Sequence, residues 1–207
     1  MSKILKKTKT SYRHGNLREA ILTTSLQVIE EVGVAGLSIR EVAKKAGVTH
    51  QAPYRHFSDK EALLAALAQD GFEKMHQQIS QSMAKEIKPF EKLLKLGLGY
   101  FSWASEHPDH FRLMFSQNIP EFETSESLKI AADKILELVL SVVRENQEAK
   151  IIKIDETRSV ARQLWAAIHG ATLLFIDRQF KPLGNNIKSG QMLVTNIITN
   201  LVSGFNC

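Results

Sequence analysis

One cysteine stands in the 207 residues, at position 207, so no intrachain disulfide can brace the chain. Proline is scarce at 5 residues, which leaves little room for extended Pro-rich segments. Long apolar runs are missing too. The greasiest stretch, 164–176, is interrupted by His169 and closed by Asp177 and Arg178, short of the roughly 18 residues a membrane span needs. Residues 1–13 are basic but lack the apolar core of a signal peptide. Also lacking are a glycine-rich phosphate loop, a nucleophile elbow and paired acids in a catalytic setting. These gaps lead to the expectation of a soluble cytoplasmic protein that is not an enzyme and carries no cofactor.

What is present is an uneven charge. Residues 1–60 hold 11 Lys/Arg against 5 Asp/Glu, whereas residues 61–207 hold 16 against 17. A basic head on a neutral body is the electrostatic pattern of a nucleic-acid-binding module joined to a separate unit. A basic tail that aids solubility produces a similar count, since five of the positive residues lie within the first 13.

Apolar residues recur at helical spacing through almost the whole chain. Asn16 is placed to cap a first helix running to about Glu31, with Leu22, Leu26 and Ile29 on its inner face. Gly33 and Gly36 bracket a turn. Ser38-Ile39-Arg40-Glu41 and Ser58-Asp59-Lys60-Glu61 have the spacing of capping boxes. The first opens a short helix ended by Gly47, the second a long helix reaching about Ala84. Between them Thr49 is placed to cap a helix over His50–His56. Pro89 and Pro108 take first-turn positions of two more, ending near Glu106 and Phe115. Patterns over 125–147, 155–180 and 188–202 complete the set, with loops at 117–123 and 181–186. Only 151–154 carries a brief β-branched run. The expectation is an all-α protein of about nine helices, divided into a head, 1–60, and a body, 61–207.

Within the head, Leu37 to Lys60 reads as a helix-turn-helix. Ala43 is small where two helices cross, Gly47 tolerates a left-handed turn, and Val48 and Phe57 supply apolar packing. An ordinary helical hairpin makes the same demands; the basic charge favours DNA. In such a unit the second helix enters the major groove with its N-terminal residues on base edges. Thr49, His50 and Gln51 are therefore the base-reading candidates, and Arg55 is placed to reach a base or a phosphate. Tyr54 and His56 are candidates for holding the sugar-phosphate backbone, with packing on the next helix the other role open to His56. Lys60 lies in the first turn of its helix, where a positive charge is unfavourable unless a phosphate is near. Ser38 presents helix-start amides, and Arg13, His14, Lys44 and Lys45 are outer phosphate candidates. Pro53 is awkward. It lacks the N–H that a fourth helical residue donates and disfavours α geometry at Ala52, so the helix begins at or after Ala52 or opens with a tighter turn.

Three stretches resemble the tetracycline-repressor (TetR) family of bacterial one-component regulators. They are Asn16-Leu17-Arg18-Glu19-Ala20-Ile21-Leu22, Gly33-Val34-Ala35-Gly36-Leu37-Ser38-Ile39-Arg40-Glu41-Val42-Ala43, and Tyr54-Arg55-His56-Phe57-Ser58-Asp59-Lys60-Glu61-Ala62-Leu63-Leu64. The resemblance implies an all-helical homodimer, each subunit a three-helix DNA-binding head on a larger ligand-sensing and dimerising body. It implies base or phosphate contacts around Thr49, His50 and Gln51, phosphate contacts from Tyr54 and Lys60, and a structural or backbone role for His56. Family members usually carry leucine or another hydrophobe where this chain has Pro53. Farther along, 106–115 and Leu164-Trp165-Ala166-Ala167-Ile168-His169-Gly170 resemble a subgroup whose C-terminal domain is named for Trp, His and Gly.

Aromatic and flexible apolar residues gather in the body, where helices can enclose an apolar cavity. Tyr100, Trp103, His107, Phe111, Met114 and Phe115 are lining candidates from the middle helices. Arg162, Trp165, His169 and Leu173 are candidates from a later one, with Arg162, His107 or His169 as polar anchor and plain core packing the alternative for each. The effector implied is small and largely apolar or aromatic. Val194, Ile197, Ile198, Leu201 and Val202 form a stripe that reads as a subunit interface or as the closure of the monomer core. Glu106-His107-Pro108-Asp109-His110 matches no known metal scheme, and no metal is expected. The expected function is a sequence-specific repressor released from a pseudo-palindromic operator by its effector. An activator of the same build, or a helical ligand-binding or interaction protein that leaves DNA alone, are the alternatives.

Overall fold

Apolar residues spaced three and four apart between Ile21 and Ile29 become the buried face of α1 (Leu17–Gly36), which holds Ile21, Leu22, Ser25, Val28 and Ile29 inward. Ser25 is tolerated there because its hydroxyl donates to the Ile21 carbonyl at 2.7 Å. The computed structural model describes residues 17–83, 87–116, 119, 125–153, 155–181 and 184–205. Arg13, His14, Asn16 and Cys207 lie outside them. The helical trajectory of α1 breaks at Gly33, whose φ of 73° is open only to a residue without a Cβ, and resumes for a last turn where the sequence predicts a loop.

Ser38 caps α2 (Ile39–Ala46) by accepting the Glu41 N–H at 3.1 Å. Among the described hydrogen bonds the return bond from the Glu41 side chain is not made, so the predicted capping box is half formed. Gly47 ends α2 in the left-handed region at φ 69°, and the Val48 N–H reaches back to the Ala43 carbonyl at 3.0 Å.

The third helix of the head is not an α-helix but a single 3-10 turn, the tighter of the two outcomes expected at Pro53. Thr49 accepts the Ala52 N–H at 3.0 Å, and one turn of 3-10 helix follows at Pro53–Arg55. The reason is Pro53: without an N–H it cannot donate to Thr49, the bonds close one residue early, and an i→i+3 ladder replaces the α-helix expected over His50–His56. Ser58 likewise does not cap the next helix. It donates to Asp59 Oδ2 at 2.8 Å, and α3 (Lys60–Ser82) starts one residue too late for a serine cap at that position.

Five helices follow: α4 (Pro89–Glu106), α5 (Pro108–Met114), α6 (Glu126–Glu148), α7 (Thr157–Ile176) and α8 (Ile187–Gly204). Among the described residues the chain is all-α, eight helices and one 3-10 turn, and 151–153 form no strand. Contacts divide it into two compact units, Met1–Lys60 and Glu61–Cys207. In the second, α4 packs against α5, α6, α7 and α8. Asn146 ties the end of α6 to the start of α4 by donating to the Pro89 carbonyl at 2.9 Å. Arg112 pins α5 to the end of α7, donating to Asp177 Oδ1 at 2.9 Å and to the Ile176 carbonyl at 3.0 Å.

Close helix crossings in the body rest on glycine. A Cβ on Gly190 of α8 would lie 2.2 Å from Phe101 Cζ and 2.9 Å from Phe175 Cε2, two rings already locked edge to face at 4.8 Å. Gly190→Ala is therefore expected to destabilise the body by roughly 1–3 kcal/mol, outweighing its gain in helix propensity. Gly170→Ala on α7 meets nothing within 4 Å and should stabilise by up to about 1 kcal/mol. Thermal unfolding of the two variants should move in opposite directions, and a parallel shift would contradict this packing.

The stripe predicted as a subunit interface divides. Val194, Ile198 and Val202 are buried within the body itself, and a Cβ on Gly97 of α4 would fall 2.6 Å from Ile198 Cδ1. These three side chains close the monomer core and are not free for a second subunit. Ile197 and Leu201 are half-buried.

Candidate nucleic-acid interface and ligand cavity

A turn anchored to the core by its apolar residues alone can present every polar residue it has. After Gly47 the chain does this over six residues: Thr49, His50, Gln51, Tyr54, Arg55 and His56 are all exposed, Tyr54 by 48%. Pro53 and Phe57 are the inward anchors of the segment, both buried. Pro53 thus fills the place of a core hydrophobe while shortening the helix. The Arg18 guanidinium lies over the Phe57 ring at 5.7 Å, joining α1 to this segment.

Several of these polar groups are already positioned by neighbours. Gln51 Nε2 donates to His50 Nε2 at 3.0 Å, which fixes the two candidate readers relative to each other. Lys60 Nζ donates to the Ala35 carbonyl at 3.1 Å, closing the gap between the end of α1 and the start of α3. Two further ammonium donors of Lys60 remain for an anion. Lys45 pairs with Glu31, whereas Lys44 is exposed with no ion pair among the described residues. Ser38 gives its hydroxyl to the cap of α2. Val48 is half-buried and Ala43 almost fully buried at the turn.

The body encloses a cavity of about 510 Å³ among α3 to α7, a size that suits small molecules. Of the predicted lining residues, Tyr100, Met114, Phe115, Arg162 and Trp165 border it. Trp103 and Phe111 are packed in the core, 1% and 0% exposed, and His107, His169 and Leu173 lie outside the lining. One whole wall is made of residues outside the predicted set. It comes from α6, where Ala132, Ile135, Leu136, Val139 and Leu140 repeat at helical spacing. That stripe was readable in the sequence as an apolar face; which face met the cavity was not.

From the lining, Tyr100 reaches back to His169 through a hydrogen bond of 2.6 Å. Burial pushes the Tyr100 phenol well above the usual range and pulls the His169 imidazole below its own, so both are neutral partners near pH 7. His110 is buried as well. Desolvation lowers its pKa although its ring bonds the Leu67 carbonyl at 2.7 Å. The 106–110 cluster is dispersed by such contacts: Glu106 accepts from Ser102 and Asp109 from Arg112. No group of three His, Cys, Asp or Glu among the described residues is arranged to hold a metal. No helix among them is long and apolar enough to cross a membrane.

Two family models match the chain. Residues 21–67 match the bacterial regulatory proteins of the tetR family, and residues 93–197 match the tetracyclin repressor-like C-terminal domain. The uncharacterized HTH-type transcriptional regulator YobS of Bacillus subtilis is 27% identical over 172 residues, 83% of this chain and 85% of its own length. A solved structure from Rhodococcus sp. RHA1, a protein of unknown function, superposes with a TM-score of 0.79 at 27% identity, covering 95% of this chain and 99% of its own. The regulator FadR of Bacillus subtilis, solved in complex with stearoyl-CoA, shares the fold at a TM-score of 0.75 and 19% identity, covering 90% of this chain and 98% of its own.

Proposed function

Because the chain belongs to the TetR family of bacterial regulatory proteins, we propose that it is a cytoplasmic, homodimeric transcriptional repressor. It occupies a pseudo-palindromic operator and leaves when a small, largely apolar effector enters the body. The observation that carries this reading is the exposed set Thr49, His50, Gln51, Tyr54, Arg55 and His56 directly after the Gly47 turn. Thr49, His50 and Gln51 read bases. Arg55 reaches a base or a phosphate, while Ser38, Lys44, Lys45, Tyr54, His56 and Lys60 hold phosphates, joined by Arg13 and His14.

The cavity among α3 to α7 is the effector site, and repression is lifted because the effector binds the released state more tightly than the operator-bound one. That FadR, of the same fold, holds stearoyl-CoA supports reading the body as a receptor. The dimer forms through α7 and α8, where Leu174, Ile187 and Met192 are exposed apolar side chains by 45%, 52% and 56%. The body falls in the subgroup marked by Trp, His and Gly, a reading supported by Trp165 and His169 on one side of α7 with ring centroids 5.6 Å apart.

Selection of bound sequences from a pool of random duplexes tests the proposal. The expected product is a two-fold symmetric motif with half-sites about one helical turn, roughly 34 Å, apart. Failure to enrich any motif would overturn DNA recognition, and a motif without symmetry would overturn the dimer. On the selected duplex, affinity should fall steeply with salt. Lys44→Ala should reduce the slope of log K against log salt by about 1 for each head bound. An unchanged slope would remove Lys44 from the phosphate set.

A further inference from the structure

The cavity wall on α7 carries charge where the rest of the lining is apolar. Arg158, Ala161, Arg162 and Trp165 fall at i, i+3, i+4 and i+7, so both guanidiniums stand on one face, a turn apart. Both are exposed, as are Trp165 and Leu136, which places this edge of the cavity at its mouth. Like charges at this spacing repel, and a helix ordinarily answers them with an acid. Elsewhere the body does so: Lys92 pairs with Glu145, Lys74 with Asp70, and Arg112 with both Asp109 and Asp177. Arg158 and Arg162 have no ion pair among the described residues. Asp133 on α6 borders the same cavity without lying within ion-pair distance of either. Glu156 is occupied at the helix start, where its carboxylate accepts the Arg158 N–H at 2.9 Å.

The interior asks for the opposite chemistry. Phe72, Met114, Phe115, Ile135 and Val139 offer no hydrogen bonds, and the Tyr100 hydroxyl is already engaged by His169. A sugar or a polyol would leave its hydroxyls unsatisfied in such a chamber. Resting on the receptor reading above, we propose that the ligand is an amphipathic carboxylate. Its apolar chain lies in the chamber, and its carboxylate sits at the mouth, held by the planar forks of Arg158 and Arg162. The anion relieves the repulsion between the two arginines, so head and tail are recognised by separate parts of one site.

Calorimetric titration of the full chain at pH 7.5 with three probes of equal chain length tests this: dodecanoate and dodecylammonium, each below its micelle concentration, and dodecanol below its solubility limit. Dodecanoate should bind at least about tenfold more tightly than dodecanol, since even one charge-assisted contact near solvent gives about that factor and the two arginines offer more, and dodecylammonium should bind more weakly than both. Arg158→Gln combined with Arg162→Gln should erase the preference for dodecanoate and leave dodecanol affinity within twofold, which also shows that the chamber is intact. Asp133→Asn should tighten dodecanoate binding alone. Equal binding of dodecanoate and dodecanol, a preference for the ammonium, or a preference that survives the double substitution would overturn the carboxylate assignment while leaving an apolar receptor standing. If none of the three binds, the receptor reading falls with it.

Discussion

Replacing Phe57 with alanine is expected to cost the head about 3–5 kcal/mol and to weaken duplex binding at least a hundredfold. The ring is 3% exposed, carries Arg18 of α1 on one face, and belongs to a residue whose N–H is bonded to the Pro53 carbonyl at 3.0 Å. It therefore anchors the exposed turn to α1. A unit this small has few other buried contacts with which to compensate. The body has its own core, so calorimetric binding of an apolar probe to the cavity should persist in the same sample. Anisotropy with the selected duplex gives the other readout, and wild-type duplex affinity in the variant would show that the anchor is dispensable.

Trp103→Ala should have the largest effect on the body, a loss of about 3–5 kcal/mol. The indole is 1% exposed and lies against His107, His110 and Phe111 at centroid distances of 5.1, 5.4 and 6.4 Å. At 207 residues, each kcal/mol shifts the midpoint by about 2–4 °C, so the unfolding midpoint should fall by roughly 6–20 °C. Trp165→Ala is the natural contrast. Its ring is 48% exposed at the cavity mouth, so the midpoint should move little while ligand affinity drops. Equal losses of stability in the two variants would mean that Trp103 is not a keystone of this core.

These two tryptophans illustrate what the sequence made legible and what it did not. Helical periodicity, Pro89, Pro108, Ser125 and Gly47 located most helix ends to within a few residues, because the signals are local. Trp103 and Trp165 look alike on that level. Which one enters the core and which borders the cavity depends on the packing of α4, α6 and α7, and no local pattern holds that information. The same holds for Val194 and Ile198, an apolar stripe equally suited to a partner subunit or to Gly97 of the same chain. At Ser58 serine and aspartate stand side by side and both suit a cap, so spacing alone does not tell that α3 begins at Lys60. At Asn186 the reverse occurred: its reciprocal bonds with Ser189 form a complete capping box that lacks the usual Glu or Gln three residues on. Pro53 was legible as a conflict, and the i→i+3 bonding is how the chain resolves it.

That resolution reaches into the thermodynamics of docking. A proline fixes its own φ, so Pro53 has little conformational freedom to lose, whereas Ala52 stands at φ −61° and ψ −44°, in the α region that a following proline disfavours, and is held there by its neighbours. Burial of the Pro53 ring and the Gln51 to His50 hydrogen bond hold the surrounding residues in place before any partner arrives. A recognition surface prepared in this way gives up less entropy on association than a frayed helix end would. Its selectivity should accordingly be strict, because a stiff turn cannot bend to accommodate a mismatched partner.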